Sequence, residues 1–186
     1  MILTGHQIKD EAEAGRITIT PFDASLLSPN SYDFHLSSDI GWYRRSWWGG
    51  RTLDCRRPNR FARSTIPEEG MVLRPGRIYL ASTAETIGSE HFVPIIRARS
   101  STARTGLFVH CTADLIDLGS LGRLTLQFHA VQPVRVYPRQ RIGQVTFWVP
   151  TGRRELYRGK YQGSTLPEPS QIWRDFREED ARGAAA

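Results

Sequence analysis

The stretch LTLQFHA, residues 124–130, alternates apolar and polar side chains. Leu124, Leu126 and Phe128 belong to one face of a strand, and Thr125, Gln127 and His129 to the other, which is the period of two expected of a half-buried β-strand. Similar runs surround it: RITITPF up to Pro21, SYDFHL after the turn residues Ser28, Pro29 and Asn30, then HFVPIIRARS, LFVHCTA, PVRVYP and RIGQVTFWVP. GMVLRPGRIYLAST sets a Pro-Gly turn between two further strand-like runs. TGHQIKDEAEAG, residues 4–15, has the pattern of a helix, with Thr4 to cap it and Gly15 to end it. These elements predict a mainly β fold of the sandwich or jelly-roll kind with one short N-terminal helix. The polar row of 124–130 then faces either water or a pocket.

Composition narrows the choice. A chain of 186 residues, 39% hydrophobic and 24% charged, suits one globular domain, expected over residues 1–175 with a flexible tail at 176–186. There is no apolar run long enough to span a membrane, and the opening MILTGHQIKDEAEAG carries charges where a secretion signal needs apolar residues, so a cytoplasmic protein without a membrane partner is expected. Cys55 and Cys111 form no CxxC pair, so zinc is not expected; two buried free thiols are the expectation. The net charge of +6 comes from 25 basic residues, nearly all arginine, whose guanidinium forks match phosphate oxygens. Residues 41–60 interleave Trp42, Trp47 and Trp48 with arginines. Such a loop can stack bases, but no nucleic-acid-binding motif accompanies it, so a nucleic-acid partner is not expected.

One segment carries candidate chemistry. In RARSSTARTGL, residues 97–107, Arg99, Ser100, Ser101 and Arg104 follow a strand, and two guanidinium groups, hydroxyls and free backbone N–H groups make a cradle for a polyphosphate. A capped turn with a solvated arginine would read the same way. The order of segments decides between them: ARSSTAR, then GLFVHCTADLID, then LTLQFHA, RIGQVTF and GKYQG, preceded by an I-x-I-x-PFD opening and SPNSYDFHL. Together these resemble the dCTP deaminase family of the trimeric dUTPase superfamily, over nearly the whole chain.

The resemblance implies a distorted β-barrel or jelly-roll and a homotrimer with active sites between subunits. It implies a pyrimidine nucleotide as substrate, with magnesium carried by the triphosphate. Arg99, Ser100, Ser101 and Arg104 would meet the phosphates and help form the reaction centre. The Ala113 carbonyl would hold the attacking water and Asp117 the deoxyribose. Thr125 to Gln127 would read the pyrimidine edge, and Gln144, Tyr157, Lys160 and Ser164 would close over base and phosphates.

The chain departs from the family pattern at the residue that matters most. The alternating strand there carries a glutamate as general base, and here Gln127 stands ten residues after Asp117. A carboxamide keeps the size and hydrogen bonds of the acid but accepts no proton at neutral pH. General acid–base help contributes roughly 10²–10⁴-fold, so deamination of dCTP is expected to be slow or altered. Asp114-Leu115 before Ile116, Leu118 after Asp117, Ser164 in place of a glutamine, and a short loop from Tyr157 to Lys160 are further departures. Four readings stay open: a deaminase with changed chemistry or substrate, in which His129 could serve as base; a dUTPase-like diphosphatase using Asp117, with Asp114 as a second carboxylate; a non-catalytic nucleotide-binding regulator; or a deliberate Glu→Gln change made to trap substrate. The zinc deaminase signature HxE…PCxxC is absent, so no zinc route is expected.

Overall fold

The computed structural model describes residues 1–44 and 52–177; Trp47 and Trp48 of the tryptophan-rich loop and the last residues of the tail lie outside them. Helix α1 (Gly5–Glu13) begins where Thr4 Oγ1 accepts the Gln7 N–H and stops at Gly15, whose φ of 71° reverses the chain without the steric penalty a side chain would bring. Its Ile8 is buried, and the chain before it is tied to the barrel by Leu3 N–H donating to Phe147 O at 2.9 Å.

Among the described residues eleven strands follow: β1 (Thr18–Thr20), β2 (Leu27–Ser28), β3 (Ser31–Tyr43), β4 (Phe61–Thr65), β5 (Met71–Leu73), β6 (Ile78–Gly88), β7 (Val93–Ala98), β8 (Leu107–Phe108), β9 (Leu121–Ala130), β10 (Val134–Val136) and β11 (Arg141–Trp148). The short helix α2 (Ser100–Ala103) lies between β7 and β8. The main sheet runs β7-β11-β3-β6-β9-β8, with β1 added to β6 and β2 and β4 added to β3, while β5 and β10 form a separate pair. The two long strands bend. The β3–β6 register shifts between Leu36 and Ile40, and the β6–β9 register between Ser82 and Thr86. A bulge of this kind kinks a strand, so each half serves a different neighbour and the sheet curls into a barrel.

Closure falls to an irregular segment. LFVHCTA makes a strand only at Leu107–Phe108. Beyond it, Val109 O accepts from Gln127 N on β9 at 3.0 Å, Ile96 N donates to Asp114 O at 2.9 Å, and Ile116 N donates to Pro94 O at 3.0 Å. Residues 109–116 therefore stitch β9 to β7, one end of the sheet path to the other. The Pro-Gly turn at 75–76 is present, but β5 pairs with β10 rather than with its sequence neighbour β6. The fold is the mainly β, barrel-like arrangement that the alternation predicts.

Tyr32, Phe34, Phe128 and Phe147 are fully buried at the centre of one apolar core. In β9 the alternation is realised residue by residue: Leu124, Leu126 and Phe128 are buried, and Thr125, Gln127 and His129 are half-exposed. The two cysteines are free but exposed, not buried. The surface loops that carry them, after β4's partner strand and along the closing segment, give neither thiol an apolar pocket deep enough to enclose it.

Candidate functional site

Thr125 and Gln127 look into a cavity of about 380 Å³ built where the closing segment and the C-terminal chain cover the outer face of β9. That volume is within the range of small-molecule sites. Ala113 and Asp117 come from the closing segment, Tyr157 and Ser164 from the C-terminal chain, so six of the residues expected to bind substrate converge here. Tyr161, from the GKYQG segment, lines it too, and two further lining groups have no signature in the sequence: Tyr43 at the end of β3, and Glu168. No local motif marks Tyr43 or Glu168, because each enters through a chain crossing outside the signature segments.

Residues 157–171 form a strap that the Tyr43 hydroxyl ties to β3 and that the Tyr157 and Tyr161 hydroxyls brace internally. Tyr43 Oη accepts the Ser170 N–H at 2.7 Å, Tyr161 Oη accepts the Gln171 N–H at 2.9 Å, and Tyr157 Oη accepts the Tyr161 N–H at 3.2 Å. Burial pushes the Tyr43 phenol above its ordinary value, against a smaller opposite pull from the Ser170 hydrogen bond, so it remains a neutral hydroxyl. The strap also pairs with β9 directly. Arg123 N donates to Ser164 O at 2.7 Å, and the Glu168 N–H donates to Thr125 Oγ1 at 3.2 Å. Gly122, with φ of 158°, lets the strap approach: a Cβ there would stand 2.8 Å from Ser164 O.

Gln127 donates from Nε2 to Thr125 O at 3.3 Å, a long bond that leaves its carbonyl oxygen without a donor among the described residues. Cys111 Sγ reaches Gln127 O at 3.4 Å, and partial burial raises that thiol above its ordinary value, away from thiolate reactivity.

The other expected residues lie elsewhere. Arg99 and Ser101 line a second recess of about 480 Å³, together with His35, Arg135, Arg139 and Arg141. Arg99 is anchored there by buried Asp33, Nε to Oδ2 at 2.9 Å. Ser100, on α2, and Arg104, just past its end, are exposed and line neither space. Gln144 lies on β11, accepting from Ser31 Oγ at 3.0 Å and donating to Ala98 O at 3.4 Å. Lys160 turns away to Asp175, at 2.6 Å. His129 points along the same strand face as Gln127 but packs on Phe108, ring centroids 6.1 Å apart, and does not line the cavity. Asp114 is engaged by Arg97.

The two spaces share no lining residue and differ in charge. The first is lined by the carboxylates of Asp117 and Glu168 with Arg123 as its cation; the second carries four arginines. The first suits a neutral ring and sugar, and the second suits phosphate oxygens.

The sequence profile of the dCTP deaminase-like family matches residues 2–149. The chain is 40% identical over 177 residues to a dCTP deaminase, dUMP-forming, of Hathewaya histolytica, covering 95% of this chain and 99% of that one. It is 41% identical over 177 residues to the dCTP deaminase, dUMP-forming, of Cytophaga hutchinsonii, with the same coverage. Over 182 residues it is 42% identical to a dCTP deaminase of Rhodopirellula baltica, covering 97% of this chain and 88% of that one. Among solved structures, the 2'-deoxycytidine 5'-triphosphate deaminase of Agrobacterium tumefaciens superposes with a TM-score of 0.62 at 21% identity. That match covers 80% of this chain and 48% of the other, and it speaks for the fold alone.

Proposed function

The chain belongs to the dCTP deaminase-like family, and from that premise we propose that it binds a pyrimidine deoxynucleoside triphosphate and hydrolytically deaminates the base at C4. The observation that carries this reading is the convergence of Ala113, Asp117, Thr125, Gln127, Tyr157 and Ser164 on one cavity. The base lies along the Thr125–Gln127 row, with the deoxyribose at Asp117 and the strap closed over both. Water held at the Ala113 carbonyl attacks C4, and enclosure by the strap strengthens every polar contact made there.

The charge separation supports a homotrimer. A triphosphate anchored in the first cavity needs cations, and the Arg99–Ser101 recess that would supply them shares no lining residue with that cavity. A neighbouring copy presenting α2 with Arg99, Ser100, Ser101 and Arg104 completes the site between subunits. Magnesium travels on the phosphate oxygens, and no group of three or more His, Cys, Asp or Glu among the described residues offers a protein-only metal site. No described helix is long and apolar enough to cross a membrane. The free thiols Cys55 and Cys111 suit a reducing cytoplasm.

Gln127 favours a second reading, hydrolysis at the α-phosphate with water positioned by Asp117, because that reaction does not require a base at position 127. Incubation with dCTP and dUTP and chromatography of the products separates the two. Ammonia and a uracil nucleotide support deamination; diphosphate with an unchanged base supports phosphate hydrolysis; nucleotide bound without turnover leaves a regulator; and no binding refutes all three. Sedimentation with and without nucleotide tests the trimer.

A further inference from the structure

Deamination at C4 needs a group that moves protons, and Gln127 cannot. Glu168 lines the same cavity on the strap. We propose that Glu168 is the proton-transferring carboxylate of this enzyme, acting from the C-terminal strap in place of a residue on β9; the proposal rests on the deaminase reading above.

Three contacts fix Glu168 over the polar row. Its own N–H donates to Thr125 Oγ1 at 3.2 Å, the carbonyl of Pro167 before it accepts from Arg63 Nη2 at 3.5 Å, and Ser170 after it is held by Tyr43 at 2.7 Å. Thr125 and Gln127 are successive residues on one strand face, so their Cα atoms are about 7 Å apart. The Glu168 backbone is thus pinned one position from the carboxamide. Its side chain, 29% exposed, accepts no hydrogen bond from the described residues, and its nearest cation, Arg63 Nη2, stands at 3.9 Å. A surface ion pair at that distance contributes little. Asp117, the other carboxylate of the cavity, is exposed and sits on the closing segment rather than beside the row.

The reaction balances with one carboxylate. Glu168 takes a proton from water as the water oxygen bonds to C4; the C4–N3 π electrons move to N3, which receives that proton from Glu168. The carboxylate then takes the proton of the new C4 hydroxyl and gives it to the amino group. The C4–N bond breaks, ammonia leaves with its bonding pair, and the C4 carbonyl remains.

The test is the rate of ammonia release from dCTP, with dCTP affinity measured alongside by calorimetry. Glu168→Gln is expected to lower kcat by roughly 10²-fold or more and to remove the acidic limb of the pH–rate profile, with affinity unchanged. Glu168→Asp is expected to keep part of the rate, and Gln127→Glu added to Glu168→Gln is expected to restore it. A wild-type protein that releases no ammonia from any cytosine nucleotide overturns the deaminase reading and this proposal together. Ammonia release that survives undiminished in Glu168→Gln overturns this proposal alone. If Glu168→Gln fails to fold, Glu168→Asp decides, because an unaltered rate and pH profile in that variant overturns the role.

Discussion

Replacing Tyr43 by Phe removes one oxygen and little else. The ring stays in its edge-on contact with Phe61, centroids 5.4 Å apart, while the Ser170 N–H loses an acceptor at 2.7 Å. A hydrogen bond of this kind has a net worth of about 0.5–1.5 kcal/mol. Ser170 is exposed, so its N–H turns to water once the hydroxyl is gone, and the loss falls at the lower end, about 0.5–1 kcal/mol. At about 1.4 kcal/mol per tenfold, the strap should open roughly two- to fivefold more often. Hydrogen exchange with peptide-level mass spectrometry reads this directly: the amides of Glu168, Ser170 and Gln171 should exchange faster by that factor. The amides of β3, β6 and β9 should not change, because local opening leaves the barrel folded. Unchanged exchange across 160–171 would refute the claim that the phenol holds the strap. Faster exchange throughout the barrel would refute the claim that the strap opens on its own.

In a Glu168→Gln background, Gln127→Glu should raise dCTP deamination at neutral pH by tenfold or more, part of the roughly 10²–10⁴-fold that a positioned acid–base group supplies; an unchanged rate with intact binding means the residue does not face C4. Phe147→Ala, at a fully buried core position, should destabilise the protein by about 3–5 kcal/mol in denaturant unfolding. The hydrogen bond from Arg16 holds Glu11 below its ordinary value of 4.5, so that contribution to stability is present above that pH and is lost as pH falls through the lowered value. Melting curves of Glu11→Gln and wild type should therefore differ at pH 7 and converge at the acid end.

The β-class and the face of each strand were legible because a pleated strand repeats every two residues, and side-chain polarity follows that repeat. LTLQFHA showed its buried and exposed rows without help from any other segment. The helix was legible for a local reason too: Thr4 and Gly15 do their work within one turn. LFVHCTA misled, since its apolar composition reads as strand while its backbone pairs with β9 only as far as Val109 and the bonds to β7 come from Asp114 and Ile116 beyond it. The cysteines also departed from expectation, because a thiol's burial depends on which loops pass over it.

Sequence alone determined the family, the barrel-forming alternation and the glutamine at position 127, each written in residue identity and spacing along the chain. Tertiary structure decided which of the candidate residues meet. It put Gln127 with Asp117 and Tyr157, sent Arg99 and Ser101 to another recess, turned Lys160 and His129 away, and brought in Tyr43 and Glu168. Those pairings are set by hydrogen bonds between segments more than a hundred residues apart, such as Tyr43 to Ser170, or some forty apart, such as Thr125 to Glu168. No local pattern encodes contacts of that range, because they exist only once the strap has closed over the sheet.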